Sequence, residues 1–258
     1  MVGNLRDLLG QFEPVSLESL DQRAALLRRV DNKYALASAE FGQLLEALVA
    51  DHQVLEIDGR RVFGYTTTYF ETPDLRCFTD HVEDRVPRFK ARTRLYEDTG
   101  QCVFEVKLKR SSDEIDKRQI EYAEQDRRRV TAQARRCVEQ ALADGEVRPP
   151  GDLTAKLTTS FERATFAASS GSERLTCDFA VRLVAPDGTT ARMRDDLVLV
   201  ETKSEQGASP ADRQLESMGV GVISLSKYRV GMAMVGAAAD CGEQPGSHLF
   251  ALERTAET

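Results

Sequence analysis

The sequence has no tryptophan and few aromatic residues, which make up 7% of its 258 residues. Proteins that bind single-stranded nucleic acid usually stack bases on aromatic side chains. Proteins that bind duplexes need a basic surface, because the phosphate backbone dominates their affinity. The net charge is −7 at pH 7. Few aromatics and an acidic total therefore argue against a nucleic-acid partner.

Cysteine and long apolar runs are also scarce. The five cysteines form no CxxC pair and lie far apart in the sequence, a pattern that indicates reduced thiols in a cytosolic protein and no zinc site. The opening stretch MVGNLRDLLGQFEPV contains acids and no apolar run long enough for a signal peptide. The run VGMAMVGAAA is too short to span a bilayer. We therefore expect a cytoplasmic protein without a membrane span.

Hydrophobic residues at 41% and charged residues at 30% indicate a globular protein. Apolar residues at helical spacing predict helices over residues 16–29, 38–52, 126–143, 209–218 and 226–238. Alternating patterns bounded by turn residues predict the strands RVDNKYAL, HQVLEI, RVFGYTTTYF, RFKARTRLY, CVFEVKLKR, IDKRQIEY, LTTSFERATFAA, ERLTCDFAVRLV and DDLVLVETKSE. Short turns between many of these strands favour an α+β fold, with an antiparallel barrel or nearly closed sheet and helices packed outside.

The strand RFKARTRLY carries cations on one face. Lys90, Arg92 and Arg94 share that face because successive side chains alternate sides of a strand. Between Arg85 and Arg110, eight basic residues stand against three acidic ones, although the whole chain is acidic. A solvated sheet face normally mixes charge signs, since like charges opposite each other are destabilising. A bound polyanion would neutralise such a face, and arginine fits phosphate oxygens well.

Charged residues alternate in two further strands. Glu105 and Lys107 share one face of CVFEVKLKR, and Glu201 and Lys203 share one face of LVLVETKSE. The two glutamates either balance the charge of nearby cations or bind a hard divalent cation that bridges phosphates. As single carboxylates they fit charge balance more simply.

Six stretches together resemble the VTC domain of polyphosphate polymerases: RVDNKYAL, YFETPDL, RFKARTRLY, FEVKLKR, LVLVETK and SLSKY occur in the order seen in that family. The family is related to the CYTH proteins among the triphosphate tunnel metalloenzymes. The resemblance covers about residues 28–235. It implies an N-terminal helical extension at 1–27, a tunnel domain of antiparallel strands at 28–238 and a polar C-terminal tail at 239–258.

The resemblance also implies a set of site residues that bind ATP and inorganic polyphosphate with a divalent metal, manganese or magnesium. The implied catalytic residues are Arg92, Arg94 and Lys107, and the implied metal ligand is Glu201. The implied phosphate-binding residues are Lys33, Arg163, Arg174, Ser226 and Lys227. Lys90 is not a family motif residue but is added as a phosphate-binding candidate because it shares a face with Arg92 and Arg94, and Lys117 or Arg118 is a further candidate cation. The sequence departs from the family pattern at Phe161, Ser224 and His81, where a tyrosine, a lysine and an arginine are expected.

The function implied by the resemblance is transfer of the ATP γ-phosphate to a growing polyphosphate chain. The sequence contains no Walker-type phosphate loop. Its absence is consistent with this function, because charged side chains would bind the phosphates in place of the loop. One alternative is a triphosphate or polyphosphate hydrolase, in which Glu105 is a candidate base. Another is a non-catalytic polyphosphate-binding module, which would not need Glu201. If the product has to cross a membrane, a partner protein must carry it, and the sequence leaves the oligomeric state open.

Overall fold

The computed structural model describes residues 2–24, 30–111, 114–170, 172–236, 238 and 241–253. The chain divides into two compact units, each assembled from separate stretches. Unit 1 comprises Met1–Phe63, Glu162–Ala180 and Arg194–Ser224. Unit 2 comprises Gly64–Phe161, Val181–Met193 and Leu225–Thr258.

Helices and strands alternate irregularly along the described residues. The helices are α1 (Val2–Gly10), α2 (Leu17–Ala24), α3 (Ser38–Leu48), α4 (Arg76–Val82), α5 (Ala132–Ala143), α6 (Pro210–Ser217) and α7 (Lys227–Met234). The strands are β1 (Glu13–Val15), β2 (Val30–Ala37), β3 (His52–Leu55), β4 (Phe63–Glu71), β5 (Arg88–Tyr96), β6 (Gln101–Lys109), β7 (Ile115–Tyr122), β8 (Thr154–Ala168), β9 (Arg174–Val184), β10 (Thr190–Met193), β11 (Leu197–Ser204) and β12 (Phe250–Leu252).

The strands form one hydrogen-bonded sheet whose main order is β12-β10-β9-β8-β4-β5-β6-β7. Strands β11 and β2 extend it from β9, and β3 and β1 extend it from β8. Only the β1–β3 pair is parallel among the pairings described. The predicted α+β fold with an antiparallel sheet and several helices is confirmed. In the described residues, β7 and β12 are the ends of the main path, so these pairings do not close into a ring.

Unit 1 buries one face of its strands against helices α3 and α6. Strand β11 lies between β2 and β9, and its Val198 and Val200 point into the core. Helix α3 contributes a buried stripe at helical spacing: Phe41, Leu44, Leu45 and Leu48. Because side chains alternate along β11, the opposite face carries the charged residues of this strand.

Unit 2 separates an apolar face from a polar one in the same way. Phe89 of β5 and Phe104 of β6 are almost completely buried, and the ring of Phe104 lies 5.7 Å from that of Phe70 on β4. Helix α5 packs against β6 and β7 with a buried stripe that includes Val138 and Leu142. The other face of β5 and β6 is therefore left to charged side chains.

Helix α1 lies within the predicted N-terminal helical extension, whereas four short elements were not predicted: α4, β1, β10 and β12. The predicted helix 126–143 begins later, at Ala132, after a 3-10 turn over Glu124–Asp126. Residues 25–29 of the predicted helix 16–29 lie outside the described part. The segment predicted as a polar tail contains a 3-10 turn at Ser247–Leu249 and β12, which pairs with β10. In the described ranges, all helices fall short of the length and apolarity needed to traverse a lipid bilayer.

Candidate functional site

The predicted cationic face of β5 is present. Lys90, Arg92 and Arg94 are half-buried and alternate with the buried Phe89 and Ala91. The alternation arises because each apolar side chain joins the core of unit 2, which turns every charged neighbour to the opposite side of the sheet. The sequence pattern alone was sufficient to predict this face.

Pairing with β6 and β7 extends the face into rows. Lys90 lies opposite Lys107, which in turn lies opposite Lys117, so three lysines stand side by side. Lys117 is therefore the further cation of this face. Arg118 lies opposite Val106, on the other side of β7, and forms ion pairs with Asp116 and Asp144. We call Lys90, Arg92, Arg94, Glu105, Lys107 and Lys117 the unit 2 cluster.

Glu105 is the carboxylate of the unit 2 cluster and is 1% exposed. One oxygen lies 2.6 Å from Nε of Arg92, and the other lies 2.6 Å from Nζ of Lys117. Burial by itself would raise the pKa of Glu105, but the charges of Arg92 and Arg94 outweigh it and lower the pKa to about 2. Glu105 is thus ionised at neutral pH and holds two cations in place.

Lys90 lies in an unusually cationic environment. Its Nζ is 3.0 Å from Nε2 of His81 on α4 and 5.0 Å from the ring centre of Tyr228 on α7. Burial, followed by the charge of Lys107, lowers the pKa of Lys90 well below its ordinary value. Burial and the charge of Lys90 likewise lower the pKa of His81 to about 2. The imidazole is therefore neutral, and its Nε2 lies within hydrogen-bonding distance of Nζ of Lys90.

A buried carboxylate, which the sequence did not single out, fixes the surroundings of Lys90. Glu71, at the end of β4, is completely buried and accepts hydrogen bonds from the backbone N–H groups of Thr72, Cys77 and Phe78. The hydroxyl of Tyr228 donates a further hydrogen bond to it. Glu71 therefore ties the first turn of α4 to α7, and no local sequence pattern marks such a long-range contact.

Ser226 and Lys227 lie at the start of α7. The hydroxyl of Ser226 accepts a hydrogen bond from the backbone N–H of Arg229 at 3.3 Å, as an N-cap does. Nζ of Lys227 lies 4.8 Å from the ring centre of Phe161, which stacks on Tyr65. Phe161, a departure from the family pattern, thus offers an aromatic face to a cation instead of a hydroxyl.

Unit 1 carries a second group of charges on the face of β11 that lies opposite its core residues. Glu201 lies opposite Lys33 of β2, with Nζ of Lys33 3.6 Å from its Oε1. Nζ of Lys203 lies 2.5 Å from its Oε2. Burial alone would raise the pKa of Glu201, but the charges of Lys203 and Lys33 hold it well below the ordinary value.

Strand β9 adds a row on the other side of β11. Arg174 lies opposite Lys203, and the buried Thr176 lies opposite Glu201. On β8, Arg163 forms a two-point ion pair with Asp178, with N–O distances of 2.6 and 2.8 Å. We call Lys33, Arg163, Arg174, Asp178, Glu201 and Lys203 the unit 1 cluster. The structure brings four predicted residues together here, while Lys203 and Asp178 were outside the predicted set.

The unit 1 cluster fits a divalent metal only in a limited way. In the described part of the chain, no group of three or more histidine, cysteine, aspartate or glutamate side chains is arranged to hold a metal ion. Mg²⁺ and similar hard cations, however, are often bound by one or two carboxylates, with phosphate oxygens and waters as the other ligands. Glu201 is an ionised oxygen donor of this kind. The residues therefore fit a metal that arrives with a phosphate substrate.

The fold and the two clusters define the class of protein. It is an α+β protein whose antiparallel strands present basic side chains suited to phosphate anions. The VTC domain model matches residues 28–236, and the chain belongs to this family. The predicted family membership is confirmed.

Solved structures with a similar chain course share little sequence with this protein. HpAC1 from Hippeastrum, a proposed adenylyl cyclase with a dominant triphosphatase activity, is 16% identical with a TM-score of 0.48, covering 81% of this chain and 97% of that one. A proposed adenylate cyclase from Vibrio parahaemolyticus is 12% identical with a TM-score of 0.43, covering 77% and 94%. PH1012 from Pyrococcus horikoshii is 12% identical with a TM-score of 0.43, covering 78% and 98%. No curated protein matches the chain.

Proposed function

We propose that the protein is a polyphosphate polymerase that transfers the γ-phosphoryl group of ATP to the terminal phosphate of a growing polyphosphate chain. The observation that carries this proposal is the row of Lys90, Lys107 and Lys117 beside the paired arginines of β5. Lys117 is paired with Glu105, but Lys90 and Lys107 lie directly opposite each other, and like charges in that position repel. A substrate with many phosphate oxygens would offset that repulsion.

The chemistry requires little from the protein beyond charge and position. The terminal phosphate of the growing chain is already ionised near pH 7, so the attack needs no base. The obstacle is repulsion between two anions, which Arg92, Arg94 and Lys107 would offset as phosphate ligands in the unit 2 cluster. Lys33, Arg163 and Arg174 would do the same in the unit 1 cluster. Catalysis by positioning and electrostatic stabilisation is the usual pattern in phosphoryl transfer.

Glu201 would hold the divalent metal, manganese or magnesium. A metal bound there would neutralise charge on phosphate oxygens and polarise them. The protein's own part is to keep the ligand available: Lys33 and Lys203 hold Glu201 ionised and confine its two oxygens.

The state of Glu105 favours the polymerase over the hydrolase. A hydrolase needs a base that activates water, and an efficient base has a pKa near the working pH. The pKa of Glu105 is lowered to about 2, and both of its oxygens lie against cations. Glu105 is therefore a poor base and a good positioning group for Arg92 and Lys117.

The test is incubation of the purified protein with ATP and Mn²⁺ or Mg²⁺, with the products resolved by gel and by phosphate assay. We expect polyphosphate chains and ADP. Free phosphate without chains would identify a hydrolase, and polyphosphate binding without turnover would identify a binding module. Either result would overturn the proposal.

Two variants test the assigned residues. Arg94→Met should lower kcat/KM by roughly 10²–10³-fold, as loss of one transition-state donor commonly does. Arg182→Met, a change in an exposed arginine of β9 outside both clusters, is the matched control.

Glu201→Gln should weaken Mn²⁺ binding measured by electron paramagnetic resonance in the presence of a triphosphate. Undiminished Mn²⁺ binding by that variant would contradict the metal assignment.

A further inference from the structure

Strand β7 is an exposed edge of the unit 2 strands. Within the described residues it pairs with β6 alone. The pairing runs without interruption from Tyr122 opposite Cys102 to Ile115 opposite Lys109, so β7 has no bulge. It also contains no proline. Natural edge strands are commonly protected by bulges, proline or charged side chains, because unpaired backbone groups readily pair with another strand. Strand β7 has charged side chains but neither of the other two features.

The register shows which backbone groups face outward. The N–H of Arg110 donates to the carbonyl of Glu114, so this pair is a hydrogen-bonded one. Hydrogen-bonded and non-hydrogen-bonded pairs alternate along an antiparallel ladder. The N–H and C=O groups of Lys117, Gln119 and Glu121 therefore point away from β6. Within the described chain, no backbone hydrogen bond reaches them.

A groove of about 550 Å³ runs along this edge. On the β7 side it is lined by the four consecutive residues 117–120, which point to alternate faces, so the groove lies at the edge and not over one face. On the α5 side it is lined by Gln133, Arg136, Cys137 and Gln140. These residues have the spacing of one helix face. We call this space the edge groove.

We propose that the edge groove is a self-association surface, in which β7 pairs antiparallel with β7 of a second copy of the chain. Two registers keep most of β7 paired, one centred on Arg118 and one on Gln119. The first places Arg118 opposite Arg118 of the second copy, which is unfavourable. The second places Lys117 opposite Glu121 of the second copy, and the twofold symmetry repeats this pair.

The charge pattern of β7 is the reason for choosing a second copy as the occupant. The exposed residues Lys117 and Glu121 are equidistant from Gln119, so the strand is complementary to itself about that residue. A twofold axis through Gln119 also places the α5 stripes of both copies on the same side of the extended sheet. The proposed dimer shares Lys117 with the unit 2 cluster, where its Nζ also contacts Glu105, but it does not require the proposed phosphate chemistry.

Engineered cysteines test the register directly. In a background with Cys137→Ala and Cys241→Ser, which removes the thiol that lines the edge groove and an exposed thiol, Gln119→Cys should form a covalent dimer on mild oxidation. The two Cα atoms would lie about 5.5 Å apart in a hydrogen-bonded pair, which suits a disulfide. Arg118→Cys is the matched control and should stay uncrosslinked. Crosslinking through residue 118 instead, or through neither residue, would overturn the proposal.

Sedimentation velocity over a range of protein concentrations gives an independent test. The unaltered chain should dimerise, and Glu121→Lys should weaken the dimer at least tenfold by placing lysine opposite lysine. Gln119→Pro should do the same, since it removes an outward N–H and leaves the ladder to β6 intact. Glu139→Lys makes the same charge change on α5 outside the groove and should still dimerise. A monomer at every concentration, or a dimer indifferent to Glu121→Lys, would refute the interface.

Discussion

Glu105→Gln should destabilise the protein in a strongly pH-dependent way. The native environment lowers the pKa of Glu105 from 4.5 to about 2. A pKa difference of this size corresponds to about 3 kcal/mol at about 1.4 kcal/mol per tenfold change. Because the folded pKa is the lower one, this stabilisation is fully present above about pH 5 and is lost as the pH falls through 2. The group is almost completely buried, so solvent screens it little.

The assay is urea unfolding of the parent and the variant at pH 7, 4 and 3. The difference in unfolding free energy should be about 3 kcal/mol at pH 7 and shrink to about 1 kcal/mol at pH 3. Glu46→Gln, at an exposed position on α3, controls for the removal of one carboxylate. A difference that stays the same at pH 7 and pH 3 would show that the two ion pairs of Glu105 do not set its ionisation.

Three further variants probe other contacts. Arg163→Lys replaces the two-point ion pair with Asp178 by a single ammonium group. The variant should lose about 1.5–3 kcal/mol of unfolding free energy, measured in urea. An unchanged unfolding midpoint would contradict that pairing. Tyr228→Phe removes a hydrogen-bond donor from the buried Glu71. The variant should lose about 1–3 kcal/mol of unfolding free energy, which a thermal melt would detect. A melting temperature equal to the parent's would exclude the hydrogen bond. Phe166→Ala removes a fully buried side chain from the unit 1 core and should lower the unfolding free energy by about 3–5 kcal/mol. A loss below about 1 kcal/mol would mean that the core is not packed as described.

The sequence predicted the strands with regular alternation best. RFKARTRLY and IDKRQIEY correspond to β5 and β7 residue for residue, because turn residues bound both and each has a clear period of two. The cationic face of β5 followed directly from that period. The register between neighbouring strands could not be predicted, because no local sequence pattern shows which residue of β7 lies opposite Lys107. The choice between Lys117 and Arg118 therefore required the structure.

Long-range partners were the main gap in the sequence prediction. Asp178 lies fifteen residues from Arg163 in the sequence, and Tyr228 reaches Glu71 over 157 residues. Such pairs depend on tertiary packing, which single-sequence patterns do not encode. Short elements such as β12 escaped as well, because three residues are too few to show a period.

The proposed roles of the predicted site residues and the division at residues 27 and 238 remain predictions. The structure adds that Leu9 and Phe12, within the predicted extension, belong to the unit 1 core. Strand β1 also pairs with β3 of that unit. Removing the first fifteen residues would therefore expose apolar surface in unit 1, which the helical pattern alone does not indicate.

Unit 1 is assembled from separate stretches of the chain, which affects how the protein folds during synthesis and how it can be divided into fragments. Strand β2 emerges from the ribosome early, but its partner β11 ends at Ser204, so β2 waits for most of the chain before it can pair. Contacts of such wide sequence separation form slowly and leave strand edges exposed to aggregation. N-terminal fragments that end before Leu197 would lack β11, the strand between β2 and β9, so expression trials should keep β2 and β11 on one polypeptide.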